Sequence, residues 1–380
     1  MCLDAFIVAL NQACEGGDKR WYASTLQLQL ASMDFCWACR SIPILHVRID
    51  DGSPCSLWYP GRARIQPNTR STRIRISSRV PVVRPLRLTL RLPMKVMQES
   101  AATELWTWLE IMELRGSSSA GFLRSLRLPQ GLKRLVVDTD VGTRVEAMSW
   151  PASLKQLSFG RNFNRSISGV VWPASLQQLS FGSRFNQPIA GVVWPASLQH
   201  MLFGSSFNQP IAGIAWAASL QQLSFERHFD QPISGVVWPA SLQQLSFGSR
   251  FNQCIAGAIW PASLQQLWFG WEFNQPIAGV MWPASLQQLS FGSRFNQPIA
   301  GVVWPASLQQ LSFEGYFNQP IAGVVWPASL QQLSFGVLFN HPISGAMWPA
   351  SLQQLSFGSR FNQPIAGVVW PASLQQLSFE

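Results

Sequence analysis

The chain contains 380 residues, of which 47% are hydrophobic and only 12% are charged. So few charges for so much apolar and aromatic material exclude an intrinsically disordered chain, and no stretch reaches the roughly 18 apolar residues that a membrane-spanning helix requires. The formal net charge is +10, and it is unevenly distributed: residues 1–149 carry 20 Lys and Arg against 13 Asp and Glu, whereas residues 150–380 carry 8 against 5.

The start of the chain and the cysteine usage bear on the compartment. The first 14 residues contain an apolar run, but they include Asp4 and no Lys or Arg, which is a poor match to a secretory signal. Only one of the six Cys, Cys254, lies within residues 150–380, so a disulfide framework is excluded there. These features predict a soluble, cytoplasmic protein.

Residues 1–127 form a basic N-terminal region in which two structures stay open for the Arg-rich segment 62–91, strands or a disordered arm. Between Asp51 and Glu99 there are nine Arg and one Lys and no acid. Because Lys and Arg neutralise phosphates, this segment provides an alternative function, the binding of nucleic acid or an anionic surface. Residues 99–115 have few helix breakers, and the pattern predicts a capping helix there.

A possible metal site lies in the same region. Cys36 and Cys39 form a C-x-x-C pair, with His46 and Cys55 further along the chain, and four such ligands could hold a tetrahedral zinc ion. A second close pair is missing. The alternative interpretation is therefore that the cysteines are ordinary reduced thiols and that these four residues bind no metal. We expect no cofactor and no metal.

From residue 150 onward the sequence is periodic. A Trp falls every 22 residues from Trp150 to Trp370 without insertion or deletion, which makes ten and a half repeats over residues 150–380. The 22 letters from Trp172 to Val193 return verbatim from Trp282 and from Trp348. One period earlier, residues 128–149 keep a few of the shared positions and are predicted to be a degenerate first repeat.

Each repeat is predicted to contain one strand and no helix. Leu176, Leu179 and Phe181 follow the spacing L-x-x-L-x-F, in which the last two alternate across a strand. A turn at Gly182 follows, and Pro188 leaves no room for a helix before the next strand. Stacked repeats would form a mainly β solenoid with one parallel sheet, in which identical residues form ladders.

The motif LxxLxFGxxFNQPI, with PASL leading into the next copy, resembles the FNIP repeat, a 22-residue relative of the leucine-rich repeat. The resemblance covers residues 128–380 and implies a leucine-rich-repeat-like solenoid without catalytic residues. The sequence departs from it in one respect, since Trp stands before the Pro where such repeats more often carry Leu.

Catalytic chemistry is not indicated. The four His occupy unrelated positions, and the repeated Ser residues have no His or acid placed beside them. Neither a P-loop nor a dinucleotide-binding fingerprint is present. The sequence therefore predicts that the protein is not an enzyme.

The three residues after the Phe that ends each predicted strand, which we call the triplet, change from copy to copy while the strands stay almost fixed. Loops on a rigid scaffold are where recognition residues usually lie. The sequence thus predicts a protein-protein interaction scaffold that binds its partner through the triplets and through the Gln and Ser ladders of the strand face. The partner-binding candidates are Arg227, His228, Arg250, Trp271, Glu272 and Tyr316; the ladder residues are Gln178, Gln222, Gln244 and Gln266 with Ser180, Ser224 and Ser246.

The last eleven residues, Trp370 to Glu380, stop directly after a predicted strand. Parallel edges of this kind template further pairing, and solenoids normally end in a polar cap. We expect either that the chain is a fragment of a longer protein or that it self-associates through this uncapped edge.

Overall fold

The computed structural model describes residues 25–28, 45–49, 56–58, 73–76, 86–92, 109–116, 128–139 and 145–379. These residues fall into two compact units, one within residues 1–165 and 172–176, the other comprising residues 166–171 and 177–380.

The first unit is built on strands. They are β1 (Thr25–Leu28), β2 (Leu45–Ile49), β3 (Ser56–Trp58), β4 (Arg73–Ile76), β5 (Leu86–Leu92), β6 (Leu109–Gly116), β7 (Arg134–Thr139) and β8 (Gln156–Phe159). β1 and β4 pair in parallel, and the other six form a sheet in the order β8-β7-β6-β5-β2-β3. Every neighbour in this sheet is parallel except β2 and β3. A 3-10 turn covers Val145–Ala147.

The predicted capping helix over residues 99–115 is wrong where the structure describes it, because residues 109–115 belong to β6. Met112 and Leu114, two residues apart, are fully buried, and β6 pairs with both β5 and β7. The amide of Lys133 donates to the carbonyl of Glu110 at 2.8 Å, and their side chains form an ion pair at 3.0 Å. Pairing in a sheet outweighs the helix propensity of this stretch, because tertiary contacts override local propensity. Residues 99–108 lie outside the described residues.

The second unit is a solenoid with one strand in each coil, which confirms the predicted fold class. Its strands are β9 (Gln178–Ser180), β10 (His200–Phe203), β11 (Gln222–Phe225), β12 (Gln244–Ser246), β13 (Gln266–Trp268), β14 (Gln288–Phe291), β15 (Gln310–Phe313), β16 (Gln332–Ser334), β17 (Gln354–Phe357) and β18 (Gln376–Phe379). They form parallel neighbours in chain order, each offset by one period, as in the pairing of Leu223 with Leu245.

Three tight turns close each coil in place of a helix. In the coil after β9, the amides of Phe185, Val192 and Leu198 donate to the carbonyls three residues earlier at 3.1, 3.3 and 3.0 Å. The middle turn contains Gly191 with φ of 73°. A side chain at this φ would be strained, which explains why Gly recurs at this position in every coil.

Aromatic columns fill the interior. Within one coil the rings of Phe225 and Phe229 lie 4.0 Å apart, and Phe229 stacks on Phe251 of the next coil at 6.1 Å. Trp238 meets Phe247 edge to face at 6.4 Å. Each ring therefore contacts equivalent rings above and below, so one repeat cannot bury its own core without neighbours.

Polar ladders join the coils outside the sheet. Oδ1 of Asn252 accepts the amide of Asn274 at 2.9 Å and Nε2 of Gln275 at 3.1 Å, and the equivalent bonds recur along the array. Asp230 takes the same place in its own coil, where its Oδ1 accepts the backbone amide of Asn252 and Nε2 of Gln253. The hydroxyl of Ser241 donates to the carbonyl of Leu220 at 2.7 Å. These bonds satisfy turn groups that the sheet cannot reach.

Candidate functional site

The outer face of the sheet in the second unit, which we call the strand face, carries two polar columns. In β11 the side chains of Leu223 and Phe225 are buried, whereas Gln222 and Ser224 face outward. The same alternation in the other strands produces one Gln column and one Ser column, because parallel strands in register place equivalent residues side by side.

A shallow depression of about 360 Å³ lies on this face. It is lined by the Gln, Leu and Ser positions of β14 to β17, by Gln376 and Ser378 of β18, and by Trp268 of β13. Gln and Ser side chains each offer donors and acceptors, so the floor of the depression can bond groups of either kind. Trp268 provides a large apolar surface at one end.

Trp268 and Leu202 are departures from the Ser column that our sequence reasoning did not single out. Leu202 is 36% exposed and Trp268 is half-buried, each where sister strands have Ser. In β10 the Gln position is also changed, and Nδ1 of His200 lies 2.6 Å from Oε1 of Gln222 in the next strand. The signal was available, since an apolar residue at an outward strand position breaks the alternation.

All six partner-binding candidates lie in triplets along one edge of the strand face. Arg227 and His228 are in one coil, Arg250 is in the next, and Trp271 with Glu272 in the one after; Tyr316 follows two coils later. Trp271 is 51% exposed and Tyr316 is 48% exposed.

In addition to the sheet, a ladder of backbone hydrogen bonds between successive triplets holds this edge in place. The amides of Arg250, Glu272 and Tyr316 donate to the carbonyls of the preceding triplets at 2.9, 2.7 and 2.6 Å. The triplets are thus displayed from a backbone fixed at every coil, and only their side chains vary.

The edge is basic. The triplets of the second unit contain five Arg, at positions 184, 227, 250, 294 and 360, against three Glu, at positions 226, 272 and 314. Two of the carboxylates have partners across coils: Oε2 of Glu226 accepts from Ser205 Oγ at 2.6 Å, and Oε2 of Glu314 accepts from Ser293 Oγ at 3.0 Å. Burial, and then the positive charges of Arg250 and Arg227, lower the pKa of His228.

The other predicted sites fall mostly outside the described residues. Cys36, Cys39 and Cys55 lie there, and His46 is on β2, where only the backbone is described. Among residues whose side chains are described, no three His, Cys, Asp or Glu come together in a way that could hold a metal ion. Of the Arg-rich segment 62–91, the structure describes β4 and most of β5. No helix in the described part of the chain is long and apolar enough to cross a bilayer.

The repeats have recognisable relatives. The family model described as FNIP Repeat matches residues 147–184, 229–270, 251–294, 295–337 and 339–380. The chain belongs to the FNIP-repeat family. The matched residues include β9 and β12 to β18 of the second unit, which carry most of the Gln and Ser columns.

The solved structures that are similar to this FNIP-repeat protein include CroV588 and an internalin. CroV588, described as a novel circular LRR protein, shares 35% identity and matches with a TM-score of 0.64 over 77% of this chain and 46% of its own. The chain thus spans less than half the length of CroV588. An internalin (InlF) from Listeria monocytogenes matches at 13% identity with a TM-score of 0.43, over 90% of this chain and 88% of its own. A comparison with curated proteins found no match.

Proposed function

We propose that this FNIP-repeat protein is a non-enzymatic scaffold that binds a protein partner through the strand face and the triplets beside it. The observation that carries the proposal is the depression on β13 to β18, where Gln and Ser columns meet the half-buried ring of Trp268. Six strands spaced about 4.8 Å apart provide a contact surface roughly 24 Å long. Identical polar residues repeated over such a length favour an extended binding surface over a localised catalytic site.

The distribution of side chains indicates where the binding energy would come from. Trp and Tyr are the residue types that most often dominate protein interfaces, together with Arg. Here Trp268 lies on the face itself, and Trp271, Tyr316 and Arg227 lie along its edge. The Gln and Ser columns between them would provide complementarity and hydrogen bonds.

The positive charge of the edge indicates the charge of the surface that the partner presents. Five Arg against three Glu in the triplets favour a partner whose contact surface is acidic. An apolar side chain of that partner would pack on Trp268. These two features describe a protein segment with carboxylates flanking an aliphatic or aromatic anchor.

The test compares captured partners between wild type and a face variant. Trp268→Ser restores the residue of the sister strands, so it removes the anchor without disturbing the fold; Trp271→Ala, Tyr316→Ala and Arg227→Ala remove the edge anchors. Quantitative affinity capture from the source cell should lose its specific partner with the combined variant, and the purified pair should bind at least about 10-fold more weakly.

Arg165→Ala is the matched control. It removes an exposed Arg at the bend of a coil that belongs neither to the strand face nor to a triplet, and it should retain the partner. If the face variant captures the same proteins as wild type with the same affinity, the strand face is not the binding surface.

A further inference from the structure

A second surface of the solenoid unit is apolar from coil to coil. The residue immediately before each Trp points outward, and the large side chains at this position between Val193 and Val369 are 72–84% exposed. The Ala two residues after the Trp is exposed in each coil, as are the Gly and the Ala or Ser that lie three and four residues before it. We call these positions between residues 190 and 372 the apolar flank.

The fold itself forces these side chains outward. Val192 and Trp194 are buried, and Val193 between them is exposed, as expected for an extended segment whose side chains alternate. The turn at Gly191 precedes this segment and the turn that begins at Pro195 follows it. Val193 could turn inward only if Trp194 left the core.

No charge interrupts the apolar flank. From residue 177 onward, every Lys, Arg, Asp and Glu lies in a triplet or in the Asn column, except Glu380 at the end of the chain. Monomeric proteins rarely expose contiguous apolar patches larger than a few hundred Å². Eight large side chains that each expose roughly 100 Å² provide on the order of 800 Å², which is what one partner buries in an interface of standard size.

We infer that the apolar flank is the interface of a homodimer, in which it packs against the same flank of a second copy. The flank presents one branched or flexible apolar side chain per coil over nine coils, with Ala215 as the only small member. A partner that fills it needs an apolar column of the same repeat and the same length, and a second copy has both. Columns of equal repeat allow each side chain to enter the gap between two side chains opposite, which produces a dry interface.

The symmetry of the pairing is defined by the same column. A two-fold axis places the same patch on both copies and closes the assembly at two. The exposed Ala and Gly beside the column are small, so the two backbones can approach closely. The strand face belongs to another segment of the coil, so the dimer leaves it free, and this inference does not depend on the proposed function.

The test is the oligomeric state of the full chain by sedimentation equilibrium, with a reducing agent because Cys254 is exposed. We expect twice the chain mass of 42.4 kDa for wild type. The variant Ile259→Lys, Val303→Lys should sediment as a monomer, with a dimer dissociation constant raised at least about 100-fold, because like charges would be placed in an apolar interface.

The control variant Ser249→Lys, Ser359→Lys adds the same charge at two exposed triplet positions and should remain dimeric. Circular dichroism of all three proteins checks that they are equally folded. A monomeric wild type overturns the inference, and so does any wild-type assembly that the flank variant retains, including one formed through the end of the sheet.

Discussion

His228 lies in the basic edge of the strand face, with Arg227 beside it in the chain and Arg250 in the next coil. Its pKa is lowered by burial and by these two positive charges, so the neutral imidazole is the form that the folded protein favours. In the unfolded chain the pKa returns to its ordinary value. As the pH falls into the interval between the two pKa values, the unfolded chain takes up the proton first, and stability is lost.

We therefore expect the melting temperature of wild type to fall between pH 7.5 and pH 5 by more than that of His228→Gln. Arg250→Gln removes one of the two charges and should reduce the difference in part, whereas Arg294→Gln, two coils beyond Arg250, should leave it unchanged. Thermal unfolding followed by circular dichroism at the two pH values measures this. Equal pH dependence in wild type and His228→Gln would show that this imidazole does not couple to folding.

The Asn column is the element that ties the bends of neighbouring coils together. Oδ1 of Asn274 accepts the amide of Asn296 at 2.9 Å and Nε2 of Gln297 at 3.0 Å. Asp230 does the same at its own level, which indicates that the acceptor oxygen is what the position requires. An amide left without its acceptor in a partly buried bend costs about 1–3 kcal/mol.

Asn274→Ala should accordingly lower the free energy of unfolding by about 1–3 kcal/mol, because two donors lose one shared acceptor. Asn274→Asp keeps the acceptor and should cost much less. Urea unfolding of the three proteins under the same conditions provides the comparison. If Asp is as destabilising as Ala, the donor side of the Asn amide is the important one.

The same elements show what the sequence could predict and what it could not. The strands of the array were predictable because the spacing L-x-x-L-x-F indicates a strand and the two prolines per period exclude a helix between strands. The same pattern recurs in every repeat. β6 was not, because the stretch before Gly116 has the residues of a helix and becomes a strand only through pairing with β5 and β7. The position of the triplets at the edge of the strand face was predictable because they follow each strand, and their role in binding stays a prediction. Trp268 was missed because it lies inside an almost constant strand.

For the whole molecule, the constant period means that a coil is an interchangeable unit. Residues 282–303 are identical in sequence to residues 348–369, and each coil of the array contacts its neighbours through the same ladders. The stability of such an array is close to a sum over repeats and the interfaces between them. Removal of one complete coil therefore removes only the stability contributed by that coil and one interface, and the flanking coils can still pair in register.

Deletion of residues 282–303 should retain the far-UV circular dichroism spectrum per residue, with a melting temperature within a few degrees of wild type. Deletion of residues 282–292, half a period, places strand residues beside bend residues and should abolish cooperative unfolding of the array. If the full-period deletion unfolds as readily as the half-period deletion, the coils are not equivalent.

The Trp residues that begin the coils have an optical consequence. In the second unit the indoles of Trp216 and Trp238, Trp260 and Trp282, Trp304 and Trp326, and Trp348 and Trp370 stack in pairs with centroids 6.2–6.5 Å apart and planes within 16° of parallel. Chromophores this close exchange excitation before they emit. The ultraviolet fluorescence of these eight Trp therefore comes from coupled indoles, and a single quenched ring silences its neighbour as well.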